Sequence, residues 1–201
     1  MMSNGILILY YLVDLVDEFG GKATMSERPF YDYVASNAIN GDTGAQKSCA
    51  VMDVSGGYQS VWWKVWLQRN FNVAEIKIHF QPATIYWSTG FSIYVFDNES
   101  FIPPNNVTEH LVYHHDPSTG CLLQHMNITV HSTAHGIAFY NTRQRVLQSN
   151  CNDKNENRQF VEICEVNVLG TIAIFLSLFS FQILNVCITT SFKHTMTILD
   201  T

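Results

Sequence analysis

Between Asn37 and Cys49 the chain reads Asn-Ala-Ile-Asn-Gly-Asp-Thr-Gly-Ala-Gln-Lys-Ser-Cys, a loop dense in oxygen-bearing side chains with two glycines and a closing cysteine. Such a loop can wrap a hard cation. Asn40, Asp42 and Ser48 offer oxygens, Gly41 and Gly44 permit the positive φ angles that turn carbonyls inward, and calcium takes six to eight such ligands at about 2.3–2.6 Å. The loop cannot fill that shell alone. Glu165, next to Cys164, would add the carboxylate that raises affinity if a Cys49–Cys164 bridge drew it alongside. The competing reading is an Asn-Gly turn whose side chain bonds its own backbone.

Other chemistry-bearing residues are scattered. Trp62, Trp63 and Trp66 lie on an alternating run that sends Trp63 into a core. Trp87, in the loop Tyr86–Gly90, is the better candidate for an exposed face that stacks on a sugar ring. His114-His115 and the isolated histidines raise zinc, but neighbouring residues of a strand point to opposite faces, which argues against a shared ion. No nucleophile elbow, redox Cys-x-x-Cys or phosphate-cradling glycine loop occurs, so no enzymatic chemistry is expected.

These residues need a scaffold, and 201 residues with 47% hydrophobic content are enough for one domain. A net charge of −6 with only 11 Lys plus Arg excludes the basic face that a nucleic-acid partner requires. Three glycosylation acceptors, at Asn98, Asn106 and Asn127, fall in or beside expected turns and indicate a secreted chain. Short alternating or aromatic-rich runs at Val61–Leu67, Val73–Phe80, Phe91–Phe96, His110–Tyr113, Met126–Val130, Gly136–Tyr140 and Gln159–Leu169 read as strands, with Gln68–Asn72 as a hairpin or an inter-sheet corner. Residues 15–36 read as an irregular lead-in with one edge strand. The expected fold class is all-β, a sandwich or jelly roll.

Both ends are apolar. Gly5–Val13 has the length of a signal-peptide core, though no Lys or Arg precedes it; a cleaved signal over residues 1–17 and a truncated start are both open. Gly170–Phe192 contains no charged residue, and Lys193-His194 follows it, which predicts a transmembrane helix over residues 171–192 and a short tail over 193–201. That places the main domain, residues 18–170, at the cell surface of a single-pass membrane protein. The other reading of the segment is an extra buried element.

The ordered set Gly21-Lys22-Ala-Thr, Ala35-Ser-Asn-Ala-Ile-Asn-Gly-Asp42, Ser48-Cys49, Trp62-Trp63, Ile76-Lys-Ile78, Tyr94-Val95 and Cys164-Glu165-Val166 resembles the fucolectin/tachylectin-type branch of the discoidin-like, galactose-binding-like domains. It is most similar to molluscan receptor-like members. The resemblance implies an eight-stranded jelly-roll β-sandwich with one structural calcium. Asn37 would give its carbonyl, Asn40 and Asp42 their side chains, Ser48 an oxygen, Cys164 its carbonyl and Glu165 its carboxylate, with Cys49 bridged to Cys164. The family reads Asp-Gly-Asn where this chain has Asn40-Gly41-Asp42, an exchange that preserves ligand charge. Its fucose-binding members carry a His just after the first Cys and Arg residues after the strand matching Ile76–Phe80. Here those places hold Ala50-Val51 and His79-Phe80-Gln81-Pro82, which leaves Trp87 and His79 as the ligand-binding candidates. Val112 and Val130 stand near the positions of a second family disulfide, and Cys121 and Cys151 could pair with each other. The resemblance thus implies an extracellular, calcium-dependent module that binds a glycan or glycoprotein, or else an adhesion or receptor ectodomain that binds protein or lipid.

Overall fold

A computed structural model describes residues 6–26, 32–43, 48–53, 60–103, 111–142 and 160–177. Among them are eight strands: β1 (Ile6–Asp14), β2 (Gly21–Met25), β3 (Ala50–Asp53), β4 (Ser60–Phe80), β5 (Ser92–Phe96), β6 (Leu111–His114), β7 (His125–Thr142) and β8 (Phe160–Ser177). The short helix α1 (Leu15–Phe19) and 3₁₀ turns at Ala35–Ile39 and Ile85–Ser88 complete the regular structure. The strands are hydrogen-bonded in the order β1-β8-β4-β7-β5-β6, with β2 added to β4 and β3 to β8, and every pairing is antiparallel.

The two runs expected on either side of Gln68–Asn72 are one strand, as are the two expected at Met126–Val130 and Gly136–Tyr140. β4 and β7 stay paired from Ser60↔Thr142 to His79↔His125, and the ladder slips between Trp66 and Phe71. Gln68, Arg69 and Asn70 are exposed at that slip, so it is the inter-sheet corner rather than a hairpin. The sheet folds over there. Phe80, at the far end of β4, reaches Phe139 at 6.1 Å between ring centroids, although Phe139 pairs with Trp63 in the near half. One hydrophobic core, including Trp63, Phe80, Phe91, Ile93, Ile137, Phe139, Ile163 and Val168, fills the space between the halves.

Local chemistry explains several of these elements. Asp14 ends β1 and caps α1, its carboxylate accepting from the Val16 amide at 3.0 Å, and Gly20 with φ 78° closes the helix. Trp63 is fully buried with its indole N–H donating to the Ala35 carbonyl at 2.9 Å, which fastens the first 3₁₀ turn to β4. On the other face of the strand, Lys64 is buried beside Trp62 and Phe96 and donates to the carbonyls of Glu99 at 2.5 Å and Phe101 at 2.7 Å. That lysine holds the loop after β5 against the sheet.

The apolar ends pair with each other. β1 lies against β8 from Ile6↔Ser177 to Asp14↔Leu169, whereas β4 leaves β8 at Val73↔Gly170. Beyond Gly170 the two strands form a ribbon. Residues 171–177, expected as the start of a helix, are therefore strand, and Ile6–Asp14 is a sheet element. No helix among the described residues is long and apolar enough to cross a membrane, and residues 178–201 lie outside them.

Gly136 sits where β7 passes through the corner, and a Cβ there would stand 2.5 Å from Phe96 Cζ and 2.5 Å from the Val65 carbonyl oxygen. The backbone atom cannot swing aside. Gly136→Ala is therefore expected to destabilise the domain by about 1–3 kcal/mol, measured by urea denaturation, and an unchanged midpoint would show that the corner relaxes freely.

Candidate functional site

The cation loop is brought to β8 by an irregularity in that strand. His79 pairs with Glu165 but Phe80 pairs with Ile163, so Cys164 has no partner on β4. Ile163 and Val166 belong to the main core, while Cys164 packs with Cys49, Val51, Tyr33 and Phe160 in a separate cluster. Cys164 is disulfide-bonded to Cys49 across a sequence separation of 115 residues. Cys121 is disulfide-bonded as well; Cys151, expected as its partner, lies outside the described residues.

The expected ligands converge in part. Glu165 Oε2 accepts from the Gly41 amide at 3.0 Å, and Gly41 holds the positive φ of 75° that this approach requires. Asn37 donates through Nδ2 to the carbonyls of Asp32 at 2.9 Å and Cys49 at 3.3 Å. The Asp42 amide donates to Asn40 Oδ1 at 2.8 Å. That last bond is the self-bonded Asn-Gly turn of the competing reading, and the turn and the approach to Glu165 coexist. Ser48 is buried next to Cys49, and residues 44–47 lie outside the described ones.

Glu165 is only 6% exposed, and its pKa is pushed up to about 7. Burial is the main cause; the charges of Asp17, Asp14 and Asp42 add to it, and the Gly41 amide opposes it. Its other oxygen accepts from Asn167 Nδ2 at 3.5 Å. No group of three or more His, Cys, Asp or Glu among the described residues could hold a metal. An ion here would depend on amide and carbonyl oxygens with Glu165 and Asp42 as its charged ligands. A buried carboxylate repelled by three others fits a hard cation, because an added positive charge offsets both the desolvation and the repulsion.

A second set of polar residues lies where β4 and β7 end. His79 and His125 meet edge to face at 4.2 Å, and Gln124 Nε2 lies 3.1 Å from His79 Nε2. Burial, and then His125, holds the His79 pKa below the usual histidine range. Trp87 is not an open platform: it is half-buried against the core, and its carbonyl, with that of Thr89, accepts from Asn141 Nδ2 at 3.3 and 3.1 Å. Thr84 and Ser88 are fully buried, and their hydroxyls have no hydrogen-bond partner among the described residues. The adjacent histidines separate, with His114 Nδ1 2.9 Å from Ser92 Oγ and His115 Nδ1 accepting from the Gly90 amide at 3.2 Å. Gln124 and Asn141 carry no signal in the sequence, and His125 reads there only as one of the isolated histidines. The strand register sets His125 opposite His79.

Of the glycosylation acceptors, Asn98 is exposed in a turn where its Oδ1 accepts from the amide and hydroxyl of Ser100 at 3.0 and 2.9 Å. Asn127 is exposed within β7 rather than beside a turn, and Asn106 lies outside the described residues.

This architecture is the galactose-binding-like β-sandwich of fucolectins and carbohydrate-binding modules. A fucolectin from striped bass, Morone saxatilis, superposes with a TM-score of 0.57 at 19% identity over 80% of this chain, which spans about half, 49%, of that protein. The lectin domain of lectinolysin complexed with Lewis b antigen gives 0.55 at 15% identity, covering 78% of this chain and 95% of that one. A chitosan-binding module of a Paenibacillus chitosanase/glucanase gives 0.55 at 20% identity, covering 79% and 99%. No family model matches the sequence, and no curated protein does.

The position of Glu165 makes stability depend on pH. Its folded pKa of about 7 lies above the ordinary value of 4.5, so between those values the folded state holds the extra proton. The contribution is fully present below pH 4.5 and is lost as pH rises to about 7. In chelator, thermal melts should show this fall at up to about 1.4 kcal/mol per pH unit, and Glu165→Gln should flatten it. An equal slope in the variant would assign the dependence to other groups.

Proposed function

We propose that this chain is a non-catalytic glycan-recognition module, fastened by a calcium ion and acting outside the cell. The observation that carries the reading is the shared sandwich fold: the proteins that have it include a fucolectin, a lectin domain complexed with Lewis b and a chitosan-binding module. The calcium part rests on the buried Glu165 and its neighbours. Asn37, Asn40, Asp42, Ser48 and the Cys164 carbonyl would complete the shell, and the ion would supply fixed positive charge that ties the loop to β8. The extracellular setting is supported by the Cys49–Cys164 disulfide and the acceptors Asn98 and Asn127, with an anchor assigned to the apolar segment that follows Ser177.

The half-burial of Trp87 favours a second reading, an adhesion or receptor ectodomain that binds protein or lipid while calcium serves only the fold. The two separate on one experiment. The full chain, made in a secretory host, is screened on a glycan array with and without chelator. Array binding that chelator abolishes supports the glycan reading; silence together with a calcium-induced rise in Tm supports the second. Glu165→Ala should abolish that rise, and an undiminished rise would remove Glu165 from the ion's shell.

A further inference from the structure

At the sheet corner, remote along β4 from the His79–His125 end, a cleft of about 310 Å³ opens between the exposed slip of β4 and the root of the β1–β8 ribbon. That volume falls at the lower end of the roughly 300–1,000 Å³ typical of small-ligand sites and is suited to one or two sugar rings. Arg69, Asn70, Phe71 and Asn72 of β4 line it, together with Thr133 of the neighbouring β7 and Thr171 of β8.

Among the described residues no carboxylate forms an ion pair with Arg69. Phe19 of α1 and Phe71 stack at 4.9 Å, and the guanidinium carbon stands 4.9 Å from each ring. Aromatic faces fix the plane of a guanidinium and leave the N–H groups of its edge unengaged. The one ion pair among the described residues is Lys22–Glu99, which does not involve Arg69. In a chain of net charge −6, this is a positioned cation facing a polar cleft. Thr133 Oγ1 donates to Asn72 Oδ1 at 2.8 Å, which sets the Asn72 amide and leaves its N–H donors available.

We propose that this cleft binds the oxyanion of an acidic sugar, a uronate carboxylate or a sugar sulfate. Arg69 grips the anion through its planar fork, and Asn70, Asn72 and Thr171 bond the ring hydroxyls. The site is separate from the His79–His125 end and does not rest on glycan binding there.

The test is calorimetric titration of the full chain with a uronate-bearing disaccharide, a sulfated disaccharide, the neutral disaccharide whose carboxyl has been reduced, and inorganic sulfate. Wild type should bind one acidic disaccharide about tenfold more tightly than the neutral one, with the advantage shrinking as salt rises. Whichever acidic probe binds identifies the anion. Arg69→Gln should erase the advantage, Arg69→Lys should retain part of it, and Thr171→Val should weaken the acidic probes while Tm and neutral-glycan array binding stay unchanged. Equal binding by wild type and Arg69→Gln, no preference over the neutral disaccharide, or competition by inorganic sulfate as strong as by the disaccharides would overturn the proposal.

Discussion

Two strands that never let go of each other determine this molecule. β4 and β7 share a ladder from the loop end of one half to the loop end of the other, with register slips at the corner between Trp66 and Phe71 and again between Val73 and Glu75. Because both must bend at the same place, the corner accumulates the sequence's exceptions: Gly136 where no side chain fits, an exposed polar slip at Gln68–Asn70, and His131 at a positive φ of 50° beside the next irregularity. Everything else is added to this pair. β2 and β5 extend one half, β8 and β3 the other, and the aromatic core closes between them.

The same economy governs Glu165. A buried carboxylate among other acidic groups opposes folding unless something positive or hydrogen-bonded meets it. The Gly41 amide does so in part, and it can reach only because Gly41 adopts a conformation other residues resist. The disulfide beside it removes the freedom of the loop to drift away. Stability and recognition are thus divided in space, with the fastening on the outer side of β8 and the candidate ligand surfaces at the loop end and the corner.

Much of this was legible in the sequence because it depends on short-range pattern. Alternation at Ile76 and Ile78, the burial of Trp63 and the all-β class follow from side-chain periodicity, and the strands sit close to where the pattern puts them. What periodicity does not report is continuity through a corner. Gln68–Asn72 looks like a break because its residues are polar, and they are polar because the slip exposes them without ending the strand. Nor does it report pairing partners. Gly5–Val13 taken alone reads as a signal-peptide core and Gly170–Phe192 as a membrane span; register shows that Ile6–Asp14 and Leu169–Ser177 satisfy each other's backbones. The cation region was legible as ligand types, while the repulsion that adds to burial in raising the Glu165 pKa comes from Asp17 and Asp14, residues that nothing in the sequence connects with it.

The ribbon also decides how the fold bears tension. Ile6 is opposite Ser177, so the start of β1 and the end of β8 lie together at one end of the ribbon, and a pull that parts them loads a single rung at a time. The ribbon should open like a zip from that end towards Asp14↔Leu169 at low force. Past it, load along β8 meets the rungs to β4 from Val73↔Gly170 to His79↔Glu165 and then Cys164, where sulfur carries it to Cys49 and spares the chain between the two cysteines. The fold is thereby divided into a strippable lead and a covalently shielded body, and a tether at either side could be stretched while the candidate binding surfaces at the loop end kept their shape.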